Sequence, residues 1–232
     1  MKSSKELKVR WPNSISISDS GKGKTFFIGT MTKHHKIYLI DTERGSMTIK
    51  DKNFDYEIVD TFKELEREVY WYFDNYKKHG YTMLVIDSIS RLQQYLVDEL
   101  LDKENNNSKN KSYKLDFDQW AEILARLRKL VDVLTKKLPT PIHMTVMAGE
   151  SKDQLTKINK VYPNIQGAFK HDLLGYFDVV LYHDCGEGKN GQTFWVQTQG
   201  DQRIIAKSRL QGLNKIEKNS YDCIARIMNK EK

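Results

Sequence analysis

The sequence predicts an α/β fold in which a mostly parallel β-sheet is flanked by helices and ends in an antiparallel C-terminal edge. Short apolar runs rich in β-forming residues alternate with longer segments of helical period from Ile15 to Met147, and this alternation is typical of parallel sheets. The last part of the chain, about residues 178–232, holds short β-rich runs and turn residues, which favour strands joined by hairpins.

Five strands are expected before that edge, at residues 15–17, 37–40, 56–59, 82–86 and 142–147. Thr61 and Glu64 form a capping box, so a helix is expected from there to Gly80. A second helix follows Asp87, and a third spans residues 117–138 and is stopped by two prolines. Residues 103–116 are rich in Lys and Asn and predict a mobile basic loop.

The C-terminal edge is expected to contain strands at residues 179–182, 193–198 and 203–206. Glycines crowd residues 186–191 and predict a turn between the first two of these strands. A final helix begins near Tyr221.

The length and composition indicate a single folded domain and exclude several classes of protein. A chain of 232 residues with 39% hydrophobic residues is expected to fold as a single domain over residues 1–232. No apolar stretch reaches the roughly eighteen residues that span a bilayer, so we expect a soluble, cytoplasmic protein without a membrane partner. The two cysteines, Cys185 and Cys223, lack the spacing of a zinc site or a disulfide framework.

The net charge of +7 is concentrated in three segments, residues 1–36, 103–114 and 203–218. Clustered positive charge is expected of a protein that binds a polyanion, because neutralised phosphates release counterions. A lysine-rich, solvated surface has the same composition. Charge alone leaves both interpretations open.

Residues 18–25, SDSGKGKT, form a P-loop between the first strand and the apolar residues that follow. Ser18, Asp19, Ser20, Gly21, Lys22, Gly23, Lys24 and Thr25, with Phe26 after them, would surround the phosphates of ATP. Lys24 would reach the β- and γ-phosphates, and the Thr25 hydroxyl would bind Mg²⁺. Ser18 replaces the first glycine of the motif, which requires ordinary backbone angles there. The alternative is a simple Gly- and Lys-rich turn.

Two further strands end in carboxylates. Asp87 ends the strand at residues 82–86 and is the expected Mg²⁺ ligand of a P-loop enzyme, although an aspartate there could also cap the next helix. Glu43 follows the strand at residues 37–40 together with Asp41. Because parallel strands end at one edge of a sheet, Glu43 can orient or deprotonate the attacking water; the alternative is that Asp41 and Glu43 are exposed loop acids.

The order of these motifs resembles the RecA-like core P-loop ATPases, over nearly the whole chain. In that group the P-loop is followed by a strand ending in a catalytic Glu, as in LIDTE ending at Glu43, and by a strand ending in IDS, as at Asp87. The resemblance implies two DNA-facing loops, at residues 103–116 and 151–167. It also implies a γ-phosphate sensor at Glu150, where relatives usually carry His or Gln.

The resemblance extends to the segment AKSRLQG that contains Lys207 and Arg209. It is similar to the Lys-x-Arg motif that RadA-type and circadian-clock relatives place against a neighbouring subunit's ATP. Lys207 and Arg209 would then act in trans, and hydrolysis would require a homo-oligomer, either a ring or a filament. The alternative is a basic strand end on the surface. The compact length and this motif most resemble phage-encoded single-strand-annealing (Sak-type) ATPases, related to the AAA_24 family.

The lysines of the two loops are the expected contacts to single-stranded DNA. They are Lys109, Lys111 and Lys114 in the first loop and Lys152, Lys157 and Lys160 in the second. Tyr162 and Phe169 could either stack on bases or belong to the core.

The leading hypothesis is therefore a Mg²⁺- and ATP-dependent recombination protein of a phage that anneals or exchanges single-stranded DNA as an oligomer. It would act in the host cytoplasm, with a phage single-strand-binding protein as a further partner. The alternatives are a helicase or loader motor on the same core, a nucleotide-binding switch with little hydrolysis, and a small-molecule kinase.

Overall fold

The computed structural model describes residues 10–107, 114–153, 157–189 and 191–230. Its strands are β1 (Ser14–Ser18), β2 (Ile37–Asp41), β3 (Asp55–Ile58), β4 (Met83–Asp87), β5 (Ile142–Lys152), β6 (Asn159–Pro163), β7 (Val179–Gly188), β8 (Gly191–Gln197), β9 (Lys207–Ser208) and β10 (Ile216–Lys218). Its α-helices are α1 (Lys24–Met31), α2 (Phe62–His79), α3 (Ile89–Asn107), α4 (Phe117–Lys136), α5 (Phe169–Asp172) and α6 (Asp222–Met228). Short 3₁₀ helices occupy Gly45–Ile49 and Leu173–Tyr176.

The strands form one sheet in the order β10-β8-β7-β1-β5-β4-β2-β3, with β6 added to β5 and β9 added to β7. The six strands from β7 to β3 are parallel, whereas β8, β9, β10 and β6 join antiparallel. The predicted mixed sheet with an antiparallel C-terminal edge is confirmed. The carboxyl ends of β1, β2 and β4 meet at one edge, where parallel sheets place their ligands.

Apolar side chains cover both faces of the sheet. One layer joins the sheet to α2, α3 and α4 and contains Ile15, Ile17, Leu65 and Leu127. The other joins it to α1 and α6 and contains Phe27 and Ile224. Because successive residues of a strand point to opposite faces, the serines that alternate with Ile15 and Ile17 face the α1 side.

Several predicted elements are confirmed with small changes at their ends. Helix α2 begins after Thr61, whose hydroxyl accepts the backbone N–H of Glu64, and ends before Gly80, which has a φ of 70°. Helix α4 begins with a complete capping box between Asp116 and Gln119. Among the helices of the described residues, none is long and apolar enough to cross a membrane.

Three predictions about loops and strands are wrong. The predicted loop at residues 151–167 is largely a β-hairpin, because β5 continues to Lys152 and pairs with β6. Residues 103–107 of the loop predicted at residues 103–116 belong to α3, which continues through Asn107. The strand predicted at residues 203–206 is a single bridge at Ile204, and the strand lies at β9 instead. In the first two cases strand pairing or helix packing extends a regular element into a segment whose local composition favours a loop.

Candidate active site

The P-loop connects the end of β1 to the start of α1. Gly21 and Gly23 have φ values of 74° and 90°, a left-handed conformation that glycine adopts without steric cost. Ser18 is the last residue of β1 and has no positive φ; of the non-glycine residues described, only Arg44 and Lys157 have one. The backbone conformation at this position therefore allows serine, although the motif usually has glycine there.

The ammonium group of Lys24 lies inside the P-loop. Its Nζ donates to the carbonyl oxygens of Ser18 at 2.8 Å and Asp19 at 3.0 Å, and to the Ser18 hydroxyl at 3.1 Å. The sulfur of Met147 lies 3.6 Å away. Burial lowers the pKa of Lys24, and the charge of Asp87 opposes that shift. The amine is thus held at the position from which it can reach phosphate oxygens.

Asp87 lies beside the P-loop at the end of β4. Its Oδ2 accepts the Thr25 hydroxyl at 3.1 Å, and its Oδ1 accepts the Thr145 hydroxyl. Burial raises the pKa of Asp87 to about 6, and the charges of Glu43 and Asp41 act in the same direction. A buried carboxylate surrounded by like charge is a strong candidate for binding a cation.

The space in front of Thr25 and Asp87 fits Mg²⁺. A Cβ built on Gly45 would lie 3.4 Å from Thr25 Oγ1 and 3.6 Å from Asp87 Oδ2, so any larger side chain at Gly45 would approach the two oxygens. Hydroxyl and carboxylate oxygens are ligands that Mg²⁺ prefers. Thr25 and Asp87 would hold the ion, and Gly45 leaves room for its water ligands.

Asp41 shapes the turn that carries Glu43. The Asp41 carboxylate is buried and accepts the backbone N–H groups of Glu43 at 3.0 Å, Gly45 at 3.2 Å and Ser46 at 2.9 Å. Asp41 is therefore a structural residue and not an exposed loop acid. The Glu43 carboxylate, which is exposed toward the cavity, accepts the hydroxyl of Ser88.

A cavity of about 590 Å³ joins these groups. Of the predicted site residues, Ser20, Gly21, Gly23, Lys24, Thr25, Phe26, Glu43 and Asp87 line it. Ser18 and Asp19 contribute through their contacts to Lys24, and Lys22 forms an ion pair with Asp184 at 2.8 Å.

Sequence reasoning missed four residues that line the cavity: Gly45, Thr48, Met147 and Phe194. It also missed Asn219, whose side-chain amide donates to the Gly23 carbonyl at 3.0 Å. Ser88 belongs to the IDS sequence at the end of β4, but the sequence alone does not predict its hydrogen bond to Glu43. Phe194 and Asn219 carried no local signal, because they reach the P-loop only through the antiparallel edge.

Three of the predicted catalytic residues lie outside the cavity. Glu150 stands in the hairpin beyond Met147 and pairs with Arg203 at 3.3 Å. Lys207 belongs to β9, and burial lowers its pKa. Arg209 pairs with Asp178 at 2.8 Å.

Arg209 lies at the end of the sheet opposite the P-loop. Its partner Asp178 also accepts the backbone N–H of Asn13, just before β1, whereas the P-loop follows β1. The five residues of β1 separate the two ends by roughly 15 Å at about 3.3 Å per residue. The guanidinium of Arg209 therefore does not reach the cavity of its own chain.

The predicted DNA-contacting lysines fall on different parts of the chain. Lys152 and Lys157 are exposed on the β5–β6 hairpin, and Lys160 there pairs with Asp153 at 2.8 Å. Lys114 is exposed just before α4. Lys109 and Lys111 lie outside the described residues. Phe169 is fully buried in the core, so it is not a stacking residue.

Comparison with known proteins identifies the family of this chain. The model of the AAA_24 family, described as an AAA domain, matches residues 15–210, which include the P-loop and both acidic strand ends. A search of curated proteins found no match. The crystal structure of the KaiC-like protein PH0186 from the hyperthermophilic archaeon Pyrococcus horikoshii OT3 is similar with a TM-score of 0.46 and 12% identity, over 86% of this chain and 83% of that one.

The family match covers most of the chain, and the sheet brings a P-loop and two acidic strand ends to one edge. The chain therefore belongs to the AAA_24 family of AAA domains, with its P-loop at the carboxyl edge of a mostly parallel sheet.

Proposed function

We propose that this protein is a Mg²⁺-dependent ATPase that assembles on single-stranded DNA and promotes annealing or strand exchange in phage recombination. The observation that carries the hydrolytic part is that one cavity holds Lys24, the Thr25–Asp87 pair and Glu43. These groups supply a phosphate-binding cation, a metal-binding oxygen pair and a base for water.

Each of these groups has a separate task in hydrolysis. Glu43 orients a water toward the γ-phosphorus and accepts its proton while the new O–P bond forms. The bond from the γ-phosphorus to the bridging oxygen breaks, and ADP leaves with the electron pair. Lys24 stabilises the negative charge on the phosphate oxygens. Mg²⁺, when bound by Thr25 and Asp87, neutralises phosphate charge and fixes the phosphate geometry.

The Ser88 hydroxyl adds a constraint on the base. Because it donates to the Glu43 carboxylate, it restricts the directions from which Glu43 can accept a proton from water. This contact supports Glu43 as the water-directing group, since the carboxylate is both exposed to the cavity and held in place.

The proposal includes action in trans by Lys207 and Arg209. Since Arg209 lies at the opposite end of the sheet from the P-loop of its own chain, a role at an ATP molecule requires a second copy. The exposed guanidinium, with 62% of its side chain accessible, supports such a contact. Glu150 is retained as the proposed sensor only in the assembled state, because it pairs with Arg203 in the single chain.

The DNA part rests on the β5–β6 hairpin. Strand β5 contacts the P-loop lysine through Met147 and then carries Lys152 out to the hairpin, where Lys157 is also exposed. Strand β5 would therefore connect single-stranded DNA bound on this hairpin directly to the nucleotide site. Lys109, Lys111, Lys114 and Lys160 are proposed as further contacts, and a phage single-strand-binding protein in the host cytoplasm as a partner.

The test is ATP hydrolysis by wild-type protein and by Glu43→Gln, with and without single-stranded DNA, while oligomer size is followed in the same samples. Glu66→Gln, an exposed carboxylate on α2, is the matched control. We expect DNA to stimulate hydrolysis and assembly in the wild type and the control. Glu43→Gln should keep nucleotide binding and lose turnover, by a factor of about 10² or more.

Other outcomes would contradict the proposal in separate ways. Nucleotide-dependent assembly without phosphate release would indicate a switch. Directional unwinding by a closed ring would indicate a helicase motor. ATP hydrolysis that is unchanged by single-stranded DNA would refute the proposed DNA-dependent role and leave the ATPase assignment intact.

A further inference from the structure

The nucleotide cavity extends beyond the groups that contact phosphate. Glu43 and Asp87 mark the end where the γ-phosphate would lie, and Lys24 and Thr25 follow it along the P-loop. The sugar and base of a nucleotide must lie beyond these groups. Two phenylalanine rings, Phe26 and Phe194, also line the cavity.

Both rings present apolar surface to the cavity. Phe26 directly follows Thr25 and is 52% exposed, although exposing a large apolar side chain to water is unfavourable. Phe194 is half-buried on β8, and one carbon of its ring would lie 3.1 Å from a Cβ built on Gly23. Its ring therefore borders the P-loop.

The backbone of Phe194 is held on both sides before any ligand binds. It pairs with Cys185 of β7 in the antiparallel register, and its carbonyl accepts the backbone N–H of Asn219, just after β10. A side chain on a strand paired on both sides loses less conformational freedom on binding than one on a loop. Aromatic rings at such positions bind the flat face of a nucleobase, and every base offers that face.

The cavity has few polar side chains that could form hydrogen bonds to the edge of a base and so distinguish one base from another. Among the described residues, the polar side chains that line the cavity are Ser20, Lys24, Thr25, Glu43, Thr48 and Asp87. Four of them, Lys24, Thr25, Glu43 and Asp87, belong to the phosphate and metal end. The amide of Asn219 lies close by, but it is used by Gly23 and His183.

We propose that Phe194, together with Phe26, holds the base of the nucleotide by stacking and without reading its hydrogen-bonding edge. The site then binds ATP and GTP with similar affinity and binds the smaller pyrimidine nucleotides more weakly. This inference rests on the proposed nucleotide site and adds the base-binding residue and the breadth of substrate that it permits.

The experiment measures equilibrium binding of four probes in the presence of Mg²⁺: ATP, GTP, CTP and inorganic tripolyphosphate. The variants are Phe194→Leu, which keeps apolar bulk and removes the π face, and Phe194→Tyr, which keeps the ring. Phe117→Ala, an 86% exposed ring outside the cavity, is the control. Thermal melting of each variant reports whether it folds.

We expect wild-type dissociation constants for ATP and GTP within about threefold of each other, and CTP weaker by about tenfold, as stacking strength predicts. Phe194→Leu should weaken ATP and GTP by about tenfold and leave tripolyphosphate unchanged. Phe194→Tyr and Phe117→Ala should bind as the wild type does.

Three results would overturn the inference. An equal loss of tripolyphosphate binding in Phe194→Leu would show that the ring shapes the P-loop and does not hold the base. Unchanged ATP binding in that variant would show that the base lies elsewhere, and a preference for ATP over GTP above about twentyfold would show that the base edge is read. Failure of the wild type to bind any of the four probes would instead refute the nucleotide site itself.

Discussion

The side-chain amide of Asn219 donates a 3.0 Å hydrogen bond to the carbonyl oxygen of Gly23, 196 residues away in the sequence. The same amide contacts the buried ring of His183, whose Nδ1 lies 2.9 Å from Asn219 Oδ1. His183 Nε2 lies 2.6 Å from the hydroxyl of Ser16. Since Nδ2 donates to Gly23, Oδ1 accepts from Nδ1, and Nε2 accepts from Ser16. A buried chain of hydrogen bonds thus ties the C-terminal segment to the P-loop.

Removing the Asn219 amide should both destabilise the fold and weaken the nucleotide site. Asn219→Ala leaves the buried Nδ1 of His183 without its hydrogen-bond partner, at a cost of about 1–3 kcal/mol in the free energy of unfolding. The Gly23 carbonyl then keeps only its hydrogen bond from the backbone N–H of Phe27, at 3.0 Å, so the P-loop is held less firmly and ATP affinity should also fall. Chemical denaturation and nucleotide titration measure the two effects. Asn214→Ala is the control, because Asn214 is exposed and contacts Glu217; equal effects in both variants would contradict the anchoring role.

Two buried histidines should make the fold sensitive to mild acid. Burial lowers the pKa of His143 and of His183 to about 3, below their value of about 6.5 in an unfolded chain. The stability that this difference contributes is present above pH 6.5 and is lost as the pH falls toward 3, because the unfolded state binds protons first. Each histidine contributes about 1.4 kcal/mol per pH unit in that window.

His143→Leu isolates one of these contributions. The variant keeps an apolar side chain against Phe27, which contacts the His143 ring, and has no group to protonate. Its free energy of unfolding should fall less steeply than that of the wild type between pH 6 and 4.5, by about 1.4 kcal/mol per pH unit. Denaturant unfolding at several pH values measures the difference, in which the carboxylate contributions cancel. Parallel curves for the two proteins would contradict it.

Gly45 should be required for metal binding and not for folding. Gly45→Val places methyl groups near the oxygens of Thr25 and Asp87, where Mg²⁺ needs its water ligands. We expect Mg²⁺-dependent ATP affinity to fall by about tenfold or more, with Mg²⁺-independent binding retained. Gly175→Val, also in a 3₁₀ helix but with open space around its Cβ position, is the matched control. A similar loss in both variants, or none in Gly45→Val, would argue against this metal position.

The β5–β6 hairpin should contribute to DNA affinity through its exposed lysines. The test variant is Lys152→Ala combined with Lys157→Asn, in which asparagine suits the left-handed φ of 59° at residue 157. Single-stranded DNA should bind more weakly, and the slope of log K against log salt should decrease by about 0.7 for each lost phosphate contact. Lys78→Ala, an exposed lysine of α2, should leave the slope unchanged. An unaltered slope in the hairpin variant would exclude these lysines from the interface.

The part of the site that the sequence predicts lies within short continuous segments. Residues 18–25 form one strand–loop–helix unit, so their spacing alone places Lys24 and Thr25 on the loop. Asp87 and Glu43 follow apolar strands, and the ends of parallel strands converge. For Ser18, only the structure shows that its ordinary backbone lets its hydroxyl accept a hydrogen bond from Lys24.

The predictions that failed depend on pairing between strands. The strand predicted to end at residue 147 continues into the hairpin as β5, and its Met147 lies beside Lys24. The local composition of residues 151–167 indicates a loop, and the hydrogen bonds to β6 overcome that preference. Cross-strand pairing is formed by residues far apart in sequence and has no local signature.

The sequence by itself therefore determined the α/β class, the P-loop and the two acidic strand ends, because each of these is encoded by neighbouring residues and by hydrophobic periodicity. Only the tertiary structure decided that Phe194 and Asn219 reach the P-loop and that Arg209 lies at the far end of the sheet. The physical reason is that the order and register of β7, β8 and β10 are set by long-range hydrogen bonds and packing. Those contacts bring the C-terminal edge to Gly23.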